Sequence, residues 1–236
     1  MLPRMDKAIV TQPPGAPRLD HVETWVFDLD NTLYPAACNL FDQIDRKMGE
    51  FIARRFACDF DAAKRMQKDF FTKYGTTLRG LMDEHGMDPA DYLDYVHELD
   101  LDALPPSPAL DRALGRLPGR KLIFTNGTKR HAERVTARLG IAQHFEAMFD
   151  IVDSDYLPKP DPRPYDVFVK RFAVDPRKAA MFEDVPRNLA PAAALGMTTV
   201  WIPGLARHQP DESTAAHIHH VAEDLAEWLG RLVPER

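Results

Sequence analysis

Only two cysteines, Cys38 and Cys58, occur in the 236-residue chain. That is too few for a disulfide framework or a zinc cluster, so both are expected to be reduced thiols of a cytoplasmic protein. No run of about 18 apolar residues occurs, which excludes a membrane-spanning helix. Basic residues are not in excess: 30 Lys and Arg stand against 36 Asp and Glu, a formal charge of -6. This leaves no footprint for a phosphate backbone and excludes a nucleic-acid polymer as an extended partner. A small anionic ligand stays open, because a local site can be positive on an acidic protein. The first 17 residues carry four prolines, Pro3, Pro13, Pro14 and Pro17, and nothing like a secretory signal. Residues 1–20 are expected to be a disordered tail, with order beginning near Glu23.

What is present reads as an α/β protein. Thr24-Trp25-Val26-Phe27 is a short β-prone run that ends abruptly at Asp28, as a buried parallel strand does. The same shape recurs at Leu122 to Phe124 before Thr125, Ala179 to Phe182 before Glu183, and Thr199 to Ile202 before Pro203. Helical patterns follow, from His131 to Leu139 and from Arg187 to Leu195, the latter stopping at Gly196. Alternation of this kind builds a Rossmann-like, doubly wound parallel sheet. Between about Leu40 and Leu101 the alternation stops. Phe41, Ile44, Met48, Phe51 and Ile52 recur at helical spacing, as do Tyr92, Val96 and Leu99, with Gly75, Gly80 and Gly86 as punctuation. Pro105, Pro106 and Pro108 mark the return. The expected division is a core of residues 21–36 and 105–236 with a helical insert at 37–104.

Ligands of an open parallel sheet bind beyond the carboxyl ends of its strands. Polar residues collect there: Asp28 and Asp30, Thr125 and Asn126, Glu183 and Asp184, with Lys159 in a proline-rich loop between them. Alone, an Asp-x-Asp is an ordinary turn or helix cap; converging on one sheet edge, the set points to chemistry. Carboxylates brought together raise one another's pKa values, a cost that a hard dication relieves. Mg²⁺ with phosphate is the usual combination for such oxygen ligands. Lys159 adds positive charge, and Thr125 with the N–H groups that follow it, Gly127 included, can donate to phosphoryl oxygens. A carboxylate, a metal, a lysine and a hydroxyl are what phosphoryl transfer needs.

These segments resemble the four motifs of haloacid dehalogenase-type phosphatases. Phe27-Asp28-Leu29-Asp30-Asn31-Thr32-Leu33-Tyr34 looks like the first, Phe124-Thr125-Asn126-Gly127 the second, Lys159-Pro160 the third and Phe182-Glu183-Asp184 the fourth, in the family order. The resemblance implies that Asp28 attacks phosphorus and that Asp30 protonates the leaving oxygen and then activates water. It implies Mg²⁺ on the carboxylates of Asp28 and Asp184 and the main-chain carbonyl of Asp30. Glu183 would act through a metal-bound water or orient the site, and Thr125, Asn126 and Lys159 would hold the transferring group. Asn188 stands where many members carry another acid. The insert resembles the family's α-helical cap, and Tyr74 to Leu81 is similar to the pyrimidine 5′-nucleotidase subgroup. Thr76, Thr77 and Arg79 would then face the substrate; alternatively, Arg79 pairs with a carboxylate of the insert.

The expected substrate is a small phosphorylated metabolite, with a nucleoside 5′-monophosphate favoured. A sugar phosphomutase or sugar-phosphate phosphatase, or a non-catalytic phosphate-binding protein on the same fold, are the alternatives. The remaining features read as structure. His217, His219 and His220 are expected to be solvated on a short edge strand. Phe60, Met66, Phe70, Phe71 and Tyr74 are expected to form the insert's own small core. His85 and His97 stand in no recognisable motif.

Overall fold

All four residues of strand β1 (Thr24–Phe27) are buried, a burial that requires cover on both faces of the sheet. The computed structural model, which describes residues 19–204 and 209–232, supplies that cover. A short 3₁₀ turn at Leu19–His21 leads into β1, so order begins ahead of Glu23; the rest of the expected tail lies outside the described residues.

Four helices follow β1: α1 (Leu40–Phe56), α2 (Phe60–Tyr74), α3 (Thr77–His85) and α4 (Pro89–Val96). The chain then returns through α5 (Pro108–Arg116), β2 (Arg120–Phe124), α6 (Lys129–Leu139), β3 (Ala147–Phe149) and α7 (Pro162–Arg171). It continues with β4 (Ala179–Glu183), α8 (Pro186–Ala194), β5 (Thr198–Trp201), α9 (Glu212–Ala215), β6 (His220–Val221) and α10 (Leu225–Leu232). The sheet order is β3-β2-β1-β4-β5-β6, and every pairing is parallel. β1 is central, and the chain winds first to one side of it and then to the other. Its carboxyl end therefore opens at the switch point, where such sheets bind ligands.

The two faces follow the two-residue period of the strands. Trp25, Phe27, Ile123 and Phe182 pack with Leu114 of α5 and Trp228 of α10. Val26, Leu122, Phe124 and Met181 pack with Tyr165 and Phe168 of α7 and Leu189 of α8. Phe27 stacks on Phe182 at 4.7 Å and Phe124 on Phe168 at 5.1 Å, each fully buried ring contributing about 1.5–3 kcal/mol. β3 escaped the sequence pattern because it is three residues long, with two of them only partly buried.

The insert is helical throughout. Gly75 ends α2 in the left-handed region, at φ 84°. Gly80 does not punctuate: it lies inside α3, and a Cβ there would come within 2.5 Å of the Phe70 ring. Its lack of a side chain is what lets α2 and α3 touch. Phe70 is buried, whereas Phe60 and Phe71 are 44% and 41% exposed, so the expected aromatic core of the insert is smaller than its sequence suggests. Phe71 instead lies under the Arg187 guanidinium of α8, 4.5 Å from its carbon. The irregular return segment after α4 is tied to α6: Arg134 donates to the carbonyls of His97 and Leu99, and Arg138 to those of Leu101 and Leu104.

At the far edge, the histidines are not the solvated set expected. His220 is buried with its ring edge-on to Trp228. The His219 Nδ1 accepts the Thr199 N–H at 3.0 Å, and the His217 carbonyl accepts the Thr199 hydroxyl. They join β6 to β5. Both cysteines are free thiols, and no described helix is long and apolar enough to cross a membrane.

Candidate active site

The run from β1 into the loop builds most of the site by itself. The Asp28 N–H still bonds to the Phe182 carbonyl at 2.9 Å, so its side chain is aimed by the sheet. Asn31 then turns the chain with φ 60°. Its amide approaches the Asp184 carboxylate at 3.5 Å, while the Thr32 hydroxyl donates to Asp28 Oδ2 at 3.2 Å. Tyr34 donates to Asp30 Oδ1 at 2.6 Å.

Lys159 is 1% exposed, and a buried ammonium needs partners. Its Nζ lies 2.8 Å from Asp28 Oδ1, 2.7 Å from the Phe124 carbonyl and 3.0 Å from Glu183. Burial acts against its charge, but those two carboxylates hold its pKa above the ordinary lysine value. Burial pushes the Asp28 carboxyl up to about 7, against the pull of Lys159 and with the help of Glu183 and Asp30. Glu183 is likewise raised by burial. Asp30 moves the other way: burial opposes its charge, but His131 and the Tyr34 hydroxyl outweigh it and lower its pKa.

Carboxylate oxygens of Asp28, Glu183 and Asp184 lie within 4.8 Å of one another, all three residues buried. Ionised together, these three carboxylates exceed the charge of the Lys159 ammonium beside them, an excess that a dication would relieve. Oxygen donors alone suit a hard cation such as Mg²⁺. Nearby, the Asn188 amide donates to Glu183 at 2.6 Å, while its own buried Oδ1 has no hydrogen-bond partner. An unanswered acceptor beside the cluster fits the hydration shell of such an ion. Glu183 is heavily engaged, taking the Val185 N–H and the Asn188 amide besides Lys159.

Thr125 directly follows β2, 1% exposed, with its hydroxyl accepting the Gly127 N–H at 2.9 Å; its own proton is left to donate. Asn126 is used differently from the expectation that it holds the transferring group. Its amide clamps the Lys159 main chain, accepting the Lys159 N–H at 2.8 Å and donating to the Lys159 carbonyl at 3.3 Å. Thr76 caps α3 by accepting the Arg79 N–H, and Thr77 is buried. Arg79 pairs with Asp83 at 2.9 Å, the alternative in which it serves a carboxylate of the insert. No contact among the described residues joins these three to Asp28. Their helix nevertheless faces the core. A Cβ on Gly75, just ahead of α3, would stand 3.8 Å from the Pro158 ring, and the Arg79 charge is felt, weakly, by Asp161 at the head of α7.

Two residues that stand in no sequence motif belong to the site. His131, 1% exposed in the first turn of α6, bonds through Nε2 to Asp30 Oδ1 at 2.8 Å. His97, at the end of α4, stacks on it at 4.6 Å with planes 10° apart. The signal available was position: the first turn of a helix leaving a strand's carboxyl end points at the site.

Residues 22–196 match the family of haloacid dehalogenase-like hydrolases. The chain belongs to that family. Among curated relatives, it is 28% identical over 205 residues to Phosphate metabolism protein 8 of Saccharomyces cerevisiae, covering 78% of this chain and 63% of the yeast protein. It is also 28% identical over 140 residues to an uncharacterised Lacticaseibacillus casei protein, covering 59% of this chain and 63% of that one. The chain thus spans less than two thirds of the length of either. The fold is shared with a haloacid dehalogenase-type phosphatase from Thermococcus onnurineus, at TM-score 0.60 and 19% identity over 91% of this chain and all of the other. It is shared equally with L-2-haloacid dehalogenase from Xanthobacter autotrophicus, at TM-score 0.55 and 17% identity over 90% and 98% of the two chains.

Proposed function

We propose that this hydrolase is a Mg²⁺-dependent phosphatase that cleaves a small phosphate monoester through an aspartyl phosphate on Asp28. The observation that carries it is the pair of aspartates at the end of β1, set in unlike surroundings. Asp28 is buried against Lys159 at 2.8 Å, and Asp30 is held apart from it by Tyr34 and His131. An alkoxide leaving group needs a proton and a halide needs none, so a second, separately held carboxylate favours phosphate esters over haloacids.

In this mechanism an Asp28 oxygen bonds to phosphorus as the bond from phosphorus to the ester oxygen breaks. Asp30 gives its proton to that oxygen. Water then attacks the phosphoryl group, Asp30 takes the water's proton, and Asp28 leaves as a carboxylate. Lys159 and the Thr125 hydroxyl neutralise and orient the phosphoryl oxygens. Asp28 and Asp184 would hold the cation, with Glu183 tied mainly to Lys159 and Asn188. When bound, Mg²⁺ offsets negative charge on the phosphoryl group.

The favoured substrate is a nucleoside 5′-monophosphate, with a pyrimidine base preferred. The likeness of Tyr74 to Leu81 to the nucleotidase subgroup supports this, as does the position of α3 across from the 158–161 loop. Phosphate release across nucleotides, sugar phosphates and p-nitrophenyl phosphate tests the assignment. Release by the wild type and none by a folded Asp28→Asn is expected. Undiminished release by that variant contradicts the nucleophile, and sugar phosphates outranking nucleotides contradicts the substrate alone.

A further inference from the structure

Among the described residues, hydrogen bonds hold the Asp30 carboxylate on one oxygen only. Tyr34 and His131 both meet Oδ1, at 2.6 and 2.8 Å, and no hydrogen bond among the described residues reaches Oδ2. With His131 in the tautomer that carries its proton on Nε2, Oδ1 accepts two donors and has no room for a proton of its own, so the proton of Asp30 belongs on Oδ2. The carboxyl group cannot rotate its two oxygens past one another without losing both bonds.

Of the two donors, Tyr34 is on the same loop as Asp30, four residues on. His131 comes from a different element and fixes the group relative to the rest of the edge. It is itself held in place. Its N–H bonds to the Thr128 hydroxyl at 3.2 Å, and one face of its ring is covered by His97. The His97 Nδ1 lies 3.3 Å from that same Thr128 hydroxyl, and the His97 carbonyl is held by Arg134 at 2.9 Å. Gly127 completes the slot. A Cβ there would stand 3.2 Å from the His131 ring, 3.3 Å from the Thr125 hydroxyl and 3.6 Å from the His97 ring. The glycine of the second motif thus makes room for the histidine pair.

We propose that His131 is a positioning residue for proton transfer: with Tyr34 it locks Oδ1 of Asp30 so that Oδ2 is presented to the leaving oxygen, and His97 braces its ring from the end of the insert. This rests on the phosphatase assignment. As the bond from phosphorus to the ester oxygen breaks, that oxygen takes the proton from Oδ2, and the charge left on Asp30 is received by the Tyr34 and His131 donors already in place. The order of the site therefore runs from the insert, through His97 and His131, to the acid.

The test compares two esters on the same enzyme, which cancels any difference in the fraction folded. Phenyl phosphate releases a basic phenolate that needs a proton; 2,4-dinitrophenyl phosphate releases one that does not. The ratio kcat/KM is used because it reports all steps through departure of the alcohol. His131→Ala is expected to lose at least about tenfold on phenyl phosphate and at most a few-fold on the dinitrophenyl ester. His131→Gln, whose amide can reach the same oxygen, is expected to recover most of the phenyl phosphate rate. Asp30→Asn sets the scale. Discrimination by Asp30→Asn with equal losses, or none, in His131→Ala overturns the positioning role and leaves the acid standing. No discrimination by Asp30→Asn, or no phosphate from either ester with the wild type, overturns the underlying assignment and this proposal with it.

Discussion

The strand-end edge and the helical insert facing it are wired differently. At the edge, polar side chains reach across the fold: Lys159 to Asp28 and Glu183, Asn126 to the Lys159 main chain, His131 to Asp30. The insert has bonds between helices as well, from Lys64 and Gln67 to Asp45, but they are partly exposed, and other pairs close within a turn of helix, as in Thr76 to Arg79, Arg79 to Asp83 and Arg46 to Glu50. A long-range buried network can be altered only as a unit, because any member removed leaves another unsatisfied. Local surface pairs are worth a few tenths of a kcal/mol and can be exchanged one at a time. The difference would suit the proposed phosphatase, with its chemistry fixed and its choice of ester adjustable.

Breaking the edge is expected to cost most. Lys159→Met leaves Asp28 and Glu183 buried without their ammonium, a loss of about 3–5 kcal/mol in urea unfolding. A loss below about 1 kcal/mol would mean that Lys159 does not hold the cluster. Adding the proposed cation is the converse. Saturating Mg²⁺ at about a hundred times its Kd stabilises the fold by about 2.7 kcal/mol, visible as a higher Tm that chelator reverses. Asp184→Ala is expected to erase that rise and Glu183→Ala to reduce it less, because Glu183 already serves Lys159 and Asn188. Equal responses would place Glu183 on the metal as well.

The junction of the two regions is expected to show itself in pH. Burial, with His131 beside it, holds the His97 imidazole down to about 3, whereas an unfolded histidine protonates near 6.5. Between those values the unfolded chain binds the extra proton, so this contribution is present above about pH 6.5 and is lost as pH falls. From pH 7 to 5 it amounts to about 1–2 kcal/mol. His97→Phe, which keeps a ring against His131, is expected to flatten that slope in urea unfolding at the two pH values. An unchanged slope would locate the proton uptake elsewhere.

The insert is expected to respond least. Arg79→Ala removes an exposed pair with Asp83 and is expected to change stability by less than about 0.5 kcal/mol. If the insert selects the ester, the same variant changes the ranking of nucleotides against p-nitrophenyl phosphate. An unchanged ranking would confine Arg79 to its ion pair.

The sequence exposed the edge because a buried parallel strand that stops at a charged residue is a local pattern. Asp28, Thr125 and Glu183 each stand at or next to such a stop. The insert was legible through the helical spacing of residues such as Ile44 and Ile52. Hydrogen-bond targets were not legible. Whether Asn126 grips a phosphate or the Lys159 main chain depends on a loop more than thirty positions away. Gly80 read as a break, because only the packed Phe70 ring shows why a side chain is excluded there. His97 and His131 were each unremarkable in sequence. They become a pair only because Arg134 ties the return of the insert to α6.

In the proposed reaction Asp28 carries the phosphoryl group. The direct measurement is an acid quench during turnover of a substrate labelled in its phosphate, followed by peptide mapping. Label on the peptide containing Asp28, released by hydroxylamine and absent in Asp28→Asn, is the predicted result. Turnover that proceeds with no label on Asp28, or with label on another residue, would contradict it.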